Sequence, residues 1–542
     1  MRWQLSRAVL VPFLVLVLGL AACGGDAEPV DESEETDPDP SEEESTDDED
    51  ADEDGAASGG PQVGGRLVAA VPEDLDATDP HRTSGETGPV WLSLIFETLV
   101  FVDQDATVVP GLAESWEVSD DGTSYTFTLR EGITFHNGRE LTSEDVKWNY
   151  ERIANPDTGA ASAAVFAIVD SIETPDERTV VLQLSEPSGA LLSDLALQGR
   201  VGIVAPESYS DAGDIEDFIG TGPYVFDSYT VNDRLTLARN ADYWKEPAFI
   251  EESEVRILPD GTSRVAALAS GEVDFAWNVP PQQAEAQAES APFSLQPFPQ
   301  NRGNYFAINP NLEPFDDVRV RQAMHLAVSR EDIANVGWSG FALPNDQPFE
   351  PTSFWWIDRD TRTTADLDAA RALMEEAGVE SAEITILQWD ALGSAQEAQL
   401  VASAWEEIGI STSIEIVDIG TLVEAGTSGD FGVLYLWVGL NLDPNRPYAF
   451  WEEGSARNPV VANFSTPELT ELVIAGRQET DQERRREIYA EALDINYAEG
   501  GTFYTVSPQQ FVGVGDRVQG YEQGAFYVSY ENGGLPFAWL ED

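Results

Sequence analysis

The stretch from residue 383 to residue 417 narrows the choice of fold more than any other part of this chain. "EITILQW" predicts a strand, "AQEAQLVASAWEEIG" predicts a helix and "TSIEIV" predicts a second strand. The helix would turn one apolar face inward, formed by Ala398, Val401, Trp405 and Ile408. A strand, a helix and a strand joined by short loops form a parallel crossover unit. The sequence therefore predicts an α/β protein.

Other hydrophobic patterns predict further strands and a second helix. Residues 124–132 alternate between apolar and polar side chains, which is typical of a half-buried strand. Residues 68–71 and 179–184 also have the composition of strands. The sequence "DLDAARALMEEAG" has helical spacing and ends at Gly378, a residue type that favours the end of a helix. We therefore expect antiparallel pieces beside the parallel unit.

The charge and composition exclude several classes of function. The chain has 542 residues and a formal net charge of −70, so it cannot neutralise the phosphates of a nucleic acid. Its length exceeds what one hydrophobic core holds, which predicts two or three lobes. It has one cysteine, and its histidines at positions 81, 136 and 325 lack the spacing of a metal site. We therefore expect no metal, no cofactor and no internal disulfide.

The N-terminus has the pattern of a lipoprotein signal peptide. Arg2 and Arg7 precede an apolar run that is too short to span a bilayer comfortably. The sequence Leu-Ala-Ala-Cys ends at Cys23 and resembles a bacterial lipobox, with an ordinary signal peptide as the alternative. We expect residues 1–23 to be the signal. We expect Cys23 to carry a lipid anchor at the outer face of the cytoplasmic membrane.

Acidic residues dominate the segment that follows this cysteine. Residues 24–61 are rich in Asp, Glu, Ser, Thr, Pro and Gly, and residues 26–60 contain no Lys or Arg. Such a segment cannot bury a core, and repulsion between its charges keeps it extended. We therefore expect a disordered tether between the membrane and the folded body.

The folded body resembles one known family along almost its whole length. The longest match is "VVPGLAESWEVSDDGTSYTFTLREGITFHNGRELTSEDVKWNYERI" at 108–153. Shorter matches are "IFETLV" at 95–100, "GTGPYVF" at 220–226, "LARNADYW" at 237–244 and "NYFAINPNLEPFDDVRVRQAMHLAVSRE" at 304–331. The chain thus resembles the family 5 extracytoplasmic solute-binding proteins, the peptide- and nickel-type binding components of ABC importers. We expect these motifs to be structural, with Arg319 and Arg321 paired with nearby acids.

The resemblance implies a fold, a set of domains and a mode of action. The fold is a two-lobed clamp of the type II periplasmic-binding-protein class with an additional third domain. The implied segments are 62–107, 218–300 and 506–542 for lobe one, 108–217 for the extra domain and 301–505 for lobe two. A ligand would bind between the lobes, and a membrane permease would sense their closure. The resemblance also implies a monomer that performs no chemistry on its ligand.

The resemblance further points to a loop that would contact the ligand, in "LYLWVGLNLDPNRPYAFW" at 434–451. Peptide-binding relatives carry an Asp in this turn that pairs with the α-ammonium of the peptide. The matching position here is Leu440, which cannot do so, and Asp443 lies three residues further on. Dipeptide binders also hold the carboxylate with an Arg after the strand that matches "EITILQW", but "QWDALGSAQ" contains no Arg. We therefore expect a ligand held without these two charged contacts.

Aromatic and polar residues near that loop remain as candidate ligand contacts. Trp389 and Trp437 lie beside the motif loops, and aromatic faces suit sugar rings, apolar side chains or cations. The other candidates are Gly439, Asn441, Asp443, Tyr305, Asn304 and Trp355. Each is alternatively a residue of the core or of an interdomain contact.

The sequence features bear on three possible functions, each from a different class of protein. The first is the ligand-binding component of an ABC importer, with peptides as the first candidate ligand and oligosaccharides as the next. The second is an exported enzyme, but the chain has no Gly-x-Ser-x-Gly or Ser-x-x-Lys motif. The third is a family member that serves as a sensor, chaperone or adhesin. We expect the first, with a permease and the membrane as partners.

Overall fold

The computed structural model describes residues 61–541 with internal gaps. The gaps are residues 86, 104–106, 198, 299–301, 360–361, 390–394, 440–441, 456–457, 459–463, 525–528 and 531–532. The candidate anchor Cys23 and the acidic segment up to residue 60 lie outside the described residues. So do Leu440 and Asn441, two positions of the predicted ligand loop.

Strands and helices alternate along the described chain. The strands are β1 (Arg66–Val71), β2 (Val100–Val102), β3 (Val108–Pro110), β4 (Ala113–Val118), β5 (Ser124–Leu129), β6 (Val169–Asp176), β7 (Thr179–Leu184), β8 (Tyr224–Thr230), β9 (Arg234–Arg239), β10 (Glu252–Ile257), β11 (Phe275–Ala276), β12 (Phe293–Phe298), β13 (Gly303–Ile308), β14 (Ala342–Pro344), β15 (Ala382–Trp389), β16 (Ile410–Val417), β17 (Val433–Val438), β18 (Phe503–Tyr504), β19 (Val506–Pro508), β20 (Gln510–Gly515), β21 (Val518–Gln519), β22 (Ser529–Tyr530), β23 (Gly533–Gly534) and β24 (Trp539–Leu540). The α-helices are Thr87–Leu92, Ser143–Ala154, Leu191–Leu195, Gly261–Ala269, Pro281–Ala288, Val318–Ala327, Arg330–Asp332, Leu367–Ala377, Ala395–Glu406, Ile419–Ser428, Asn445–Tyr448, Pro467–Gln478 and Gln482–Ala498.

The first sheet has seven strands in the order β12-β20-β11-β1-β10-β9-β8. Strand β1 lies parallel to β10 and β11, and the outer strands run antiparallel to their neighbours. Its strands come from three separate stretches of the chain, at 66–71, 224–298 and 510–515. Chain segments that are remote in sequence therefore build one layer.

The second sheet has five strands in the order β16-β15-β17-β13-β18. Strand β15 is parallel to both β16 and β17, which confirms the crossover unit predicted from the sequence. The helix Ala395–Glu406 makes the crossover and buries its predicted inward residues, which are Ala398, Val401, Trp405 and the following Ile408. Strand β13 is antiparallel to β17.

A third, antiparallel sheet has the order β4-β5-β7-β6. Tyr125, Phe127 and Leu129 of β5 are buried, while the residues between them are half-buried, as the alternation predicted. The turn between β4 and β5 contains Gly122 with a φ of 69°, a conformation that glycine adopts without strain.

The chain crosses between the first and second sheets at two points. One crossing joins the end of β12 at Phe298 to the start of β13 at Gly303. The other runs from the end of β18 at Tyr504, through β19, to the start of β20 at Gln510. Both crossings are short, so residues beside them lie where the two sheets approach each other.

A buried carboxylate explains three of the sequence motifs. Glu97 of "IFETLV" is 4% exposed and accepts hydrogen bonds from Thr221 Oγ1 at 2.7 Å, Tyr243 Oη at 2.6 Å and Trp244 Nε1 at 2.8 Å. Thr221 belongs to "GTGPYVF", and Tyr243 and Trp244 belong to "LARNADYW". A side chain at Gly220 would bring a Cβ within 1.9 Å of the carbonyl oxygen of Ile95. These motifs are therefore structural, as expected.

The expectation for the two arginines of the 304–331 motif is half right. Arg319 pairs with Asp317. Arg321 instead donates to main-chain carbonyl oxygens, those of Phe315, Asp316, Glu499 and Gly500. It is 5% exposed, and carbonyl groups at loop ends supply the acceptors that its buried guanidinium needs. In the described part of the chain, no helix is both long and apolar enough to cross a bilayer.

Candidate ligand site at the edge of the second sheet

Several predicted ligand contacts meet at one edge of the second sheet. Parallel strands β15 and β17 end at this edge, and antiparallel β13 begins there. Trp389 ends β15, Trp437 lies next to the end of β17, and Asn304 lies next to the start of β13. In α/β sheets, ligands bind outside the carboxyl ends of the strands. Strand β13, which begins at this edge, is also the first strand of the second sheet after β12 of the first sheet.

Three planar groups form a stack at this edge. The rings of Trp389 and Trp437 lie 5.6 Å apart with an interplanar angle of 25°, and both side chains are half-buried. The guanidinium of Arg302 lies over the Trp437 ring, 4.4 Å from its centroid. A Cβ at Gly439 would lie 3.0 Å from the Cβ of Arg302. Glycine at this position therefore leaves room for the Arg302 side chain. The stack thus combines two half-buried aromatic rings with the guanidinium of Arg302, which is 9% exposed.

A second buried carboxylate lies next to Asn304. Glu397, on the first turn of the crossover helix, is 0% exposed. It accepts hydrogen bonds from Asn304 Nδ2 at 2.9 Å, Trp338 Nε1 at 2.7 Å and Thr505 Oγ1 at 2.5 Å. Burial raises the pKa of Glu397, and hydrogen bonds from Thr505 and then Tyr435 oppose the rise. Asn304 is thereby fixed at the start of β13.

The other predicted contacts that the structure describes are buried in the protein interior. Asp443 is 5% exposed and forms a two-pronged ion pair with the fully buried Arg485, at 2.7 and 2.8 Å. Arg485 also donates to the carbonyl oxygen of Gly189, which belongs to the segment after the third sheet. Trp355 packs beside the guanidinium of Arg485 and donates from Nε1 to the carbonyl oxygen of Leu442 at 2.9 Å. Both carboxylate oxygens of Asp443 are therefore engaged inside the protein.

Tyr305 is 1% exposed and belongs to the core on the other face of the second sheet. The structure thus brings together Trp389, Trp437, Gly439 and Asn304, whereas Asp443 and Trp355 form a separate cluster. Asn441 and most of the loop "QWDALGSAQ" lie outside the described residues.

Sequence reasoning missed Arg302 and Glu397. Glu397 could have been found, because it stands four residues before Val401 on the stripe that was predicted to face inward. An acid on a buried stripe signals a hydrogen-bonded polar cluster. Arg302 has no such signal in the sequence, since it precedes a strand and its partner ring lies on a different strand. Among the described residues, no cluster of His, Cys, Asp and Glu could hold a metal ion.

Comparison with known proteins places these features in context. Residues 107–458 match the model of "Bacterial extracellular solute-binding proteins, family 5 Middle". The Di/tripeptide-binding protein 2 of Pseudomonas aeruginosa (strain UCBPP-PA14) is 30% identical over 492 residues, which cover 83% of this chain and 91% of the relative.

Solved structures share the fold. The periplasmic binding protein DppA from Helicobacter pylori, in complex with the peptide STSA, has a TM-score of 0.71 at 23% identity. The match covers 89% of this chain and 99% of that one. The substrate binding protein CtaP from Listeria monocytogenes has a TM-score of 0.79 at 20% identity, over 88% and 100% of the two chains. The expected fold class, a type II periplasmic-binding-protein clamp, is confirmed.

Proposed function

Because the chain belongs to the bacterial extracellular solute-binding proteins of family 5, we propose that the solute it captures for its ABC importer is a peptide. The observation that carries this proposal is the match, over most of both chains, to a di/tripeptide-binding protein. The likeness to a protein whose structure contains the peptide STSA fits it. The peptide would lie between the lobes, against the stack of Arg302, Trp437 and Trp389.

The charged groups near the site favour a particular mode of peptide recognition. Asp443 is 5% exposed and paired with the buried Arg485, which places it out of reach of the α-ammonium of a ligand. Arg302 supplies a positive charge at the edge of the second sheet. We therefore propose that the peptide is held by its backbone and its carboxylate rather than by a free amine. Charge-assisted contacts to a carboxylate are among the stronger hydrogen bonds.

A second candidate ligand is an oligosaccharide, which the paired tryptophans favour. The half-buried Trp389 ring, at the end of the stack away from Arg302, offers an apolar face of the kind on which a sugar ring can lie. In this alternative, Arg302 would contact hydroxyl groups instead of a carboxylate.

Thermal unfolding of the purified full chain against a ligand panel tests the proposal. The panel holds di- to octapeptides, each in free, N-acetylated and C-amidated form, together with oligosaccharides, metal ions and haem. A ligand at a hundredfold excess over Kd stabilises the folded state by about 2.7 kcal/mol. We expect N-acetylated peptides to raise the midpoint as much as free peptides, and C-amidated peptides to raise it less.

A response to oligosaccharides without a response to peptides would contradict the peptide proposal. The variant R302Q should lose the preference for a free carboxylate. R319Q is its matched control, because Arg319 pairs with Asp317 on the same lobe and away from the stack. Equal losses in R302Q and R319Q would contradict the role of Arg302.

We also propose how the chain is organised and anchored. Residues 1–23 would be a signal peptide, Cys23 would carry the lipid, and residues 24–61 would form the tether. The lobe and extra-domain segments would follow the boundaries predicted from the sequence, and the body would be a monomer. In the source cell, the variant C23S should move from the membrane fraction to the soluble fraction. A variant that stays in the membrane would contradict the anchor, and light scattering of the purified chain would test the monomer.

A further inference from the structure

One glutamine beside the aromatic stack has a buried acceptor without a donor. Gln388 precedes Trp389 on β15 and is 3% exposed. Its Oε1 atom is buried and accepts no hydrogen bond from any residue that the structure describes. Asn304 Oδ1 is also buried and likewise accepts no hydrogen bond from the described residues. Buried polar groups in folded proteins almost always have partners, so two such acceptors at one sheet edge need an explanation.

Strand register places both acceptors on the same face. Gln388 is paired with Tyr435, and Tyr435 is paired with Phe306, so all three side chains point to one side of the sheet. Asn304 lies two residues before Phe306 and therefore points to that side as well. This side faces the crossover helix, and Trp437, the strand partner of Asn304, lies on it too. Both acceptors therefore lie on the Trp437 face of the sheet, one on each side of β17, while Trp389 follows Gln388 and alternates to the opposite face.

The Glu397 cluster fixes the orientation of Asn304. The carboxylate of Glu397 accepts hydrogen bonds from Asn304 Nδ2, Trp338 Nε1 and Thr505 Oγ1. The Asn304 amide therefore turns its NH₂ group toward Glu397. Asn304 Oδ1 must then point away from Glu397. The nearby guanidinium of Arg302 repels a cation, which favours a neutral donor at these acceptors over an ammonium.

We propose that Gln388 and Asn304 form a subsite in which each side-chain oxygen accepts a hydrogen bond from its own neutral N–H or O–H group of the bound solute. Each group would be a peptide amide or a sugar hydroxyl. This inference deepens the proposed function and rests on it for the position of the solute. Gln388 and Asn304 would act as specificity residues on the Trp437 face of this sheet edge.

The variant Q388M tests the subsite, with Q347M as a matched control. Methionine keeps the length of the side chain and removes its polar atoms. Gln347 is also buried, at 0% exposure, but both ends of its amide are bonded to the main chain of Ile357 at 2.9 Å. Without added ligand, we expect Q388M to melt at the wild-type temperature and Q347M to melt about 2 °C lower or more. An equal drop in Q388M would overturn the proposal.

Binding is then measured on the full chain by calorimetry with two probes, N-acetyl-tri-alanine and maltotriose. For a probe that binds the wild type, we expect Q388M to weaken Kd about tenfold and Q347M to leave it unchanged. Unchanged binding in Q388M would overturn the subsite. A wild type that binds maltotriose but not the peptide contradicts the proposed function instead. The maltotriose data for Q388M then decide the subsite. If neither probe binds, the melting comparison alone decides it.

Discussion

Two buried glutamates, Glu97 and Glu397, are held by almost the same set of donors in different parts of the molecule. Each accepts a hydrogen bond from a threonine hydroxyl and from a tryptophan Nε1. Tyr243 donates to Glu97, and Tyr435 is the tyrosine beside Glu397. Burial raises the pKa of both carboxyl groups, and these hydrogen bonds oppose the rise.

The two clusters differ in which parts of the chain they join. The partners of Glu97 lie on two of the family motifs, and the cluster fastens the segment before β2 to the segments around β8 and β9. The partners of Glu397 include Asn304 and Thr505, which lie beside the two crossings between the first and second sheets. The same chemistry therefore holds a permanent junction in one place and the edge of the proposed solute site in the other.

The largest effect is expected from E97A. Three buried donors would lose their acceptor, at about 1 to 3 kcal/mol each, offset in part because a buried charge is removed. We expect the free energy of unfolding to fall by about 3 to 5 kcal/mol, measured by urea denaturation. Protein that remains folded should bind its solute with wild-type affinity. A large loss of affinity in E97A would break the distinction between the two clusters.

E397A should lose both stability and binding. We expect a fall of about 3 kcal/mol in the free energy of unfolding, for the same reason as in E97A. Release of Asn304 from its carboxylate should also weaken solute binding at least tenfold, measured by calorimetry on the folded fraction with N-acetyl-tri-alanine and maltotriose as probes. E97A is the control of equal chemistry. Wild-type affinity in E397A would show that this cluster, too, is only structural.

The pH dependence of stability tests whether burial raises the pKa of both Glu97 and Glu397. Below the ordinary glutamate pKa of 4.5, each carboxyl is neutral in the folded and the unfolded chain. Between pH 4.5 and the raised folded pKa, only the unfolded chain ionises, so the wild type loses stability as the pH rises through this range. E97Q and E397Q should therefore gain stability relative to wild type as the pH rises above 4.5, by about 1.4 kcal/mol per unit of pKa shift.

A glutamate shifted in the opposite direction provides the control for this measurement. Hydrogen bonds from Arg139 lower the pKa of Glu207 to about 2. The ionised Glu207 carboxylate stabilises the fold above pH 4.5, and this stabilisation is lost as the pH falls toward 2. The free energy of unfolding of E207Q should therefore lie furthest below that of the wild type above pH 4.5. Urea denaturation at several pH values gives the three curves. Parallel curves for E97Q and wild type would contradict a raised pKa.

Local patterns predicted the elements of this fold but not its long-range polar contacts. The spacing of Ala398, Val401 and Trp405 established the crossover helix, because periodicity reports which face is buried. The partners of Arg321 lie up to 179 residues away, and Arg485 lies 42 residues from Asp443. A single sequence carries no information on which remote groups meet, so both pairings had to come from the structure.

The candidate site was predicted in part for the same reason. Trp389, Trp437 and Asn304 were selected as residues at strand ends, and the sheet brings strand ends to one edge. Arg302 was not selected, because its role depends on the Trp437 ring of another strand. Gln388 was not selected, because its role depends on the lack of a donor to its Oε1 atom among the described residues. The roles of all these residues in binding remain predictions.

The smallest and sharpest comparison removes one donor from each glutamate. W244F and W338F each delete an indole Nε1 that lies 2.8 Å from Glu97 or 2.7 Å from Glu397. Phenylalanine keeps an aromatic ring, so we expect each variant to lose about 1 to 2 kcal/mol of unfolding free energy. Only W338F should weaken binding of the two probes, by about threefold to tenfold, because its glutamate positions Asn304. Equal binding losses in both variants would mean that general destabilisation, rather than the position of the cluster, controls the site.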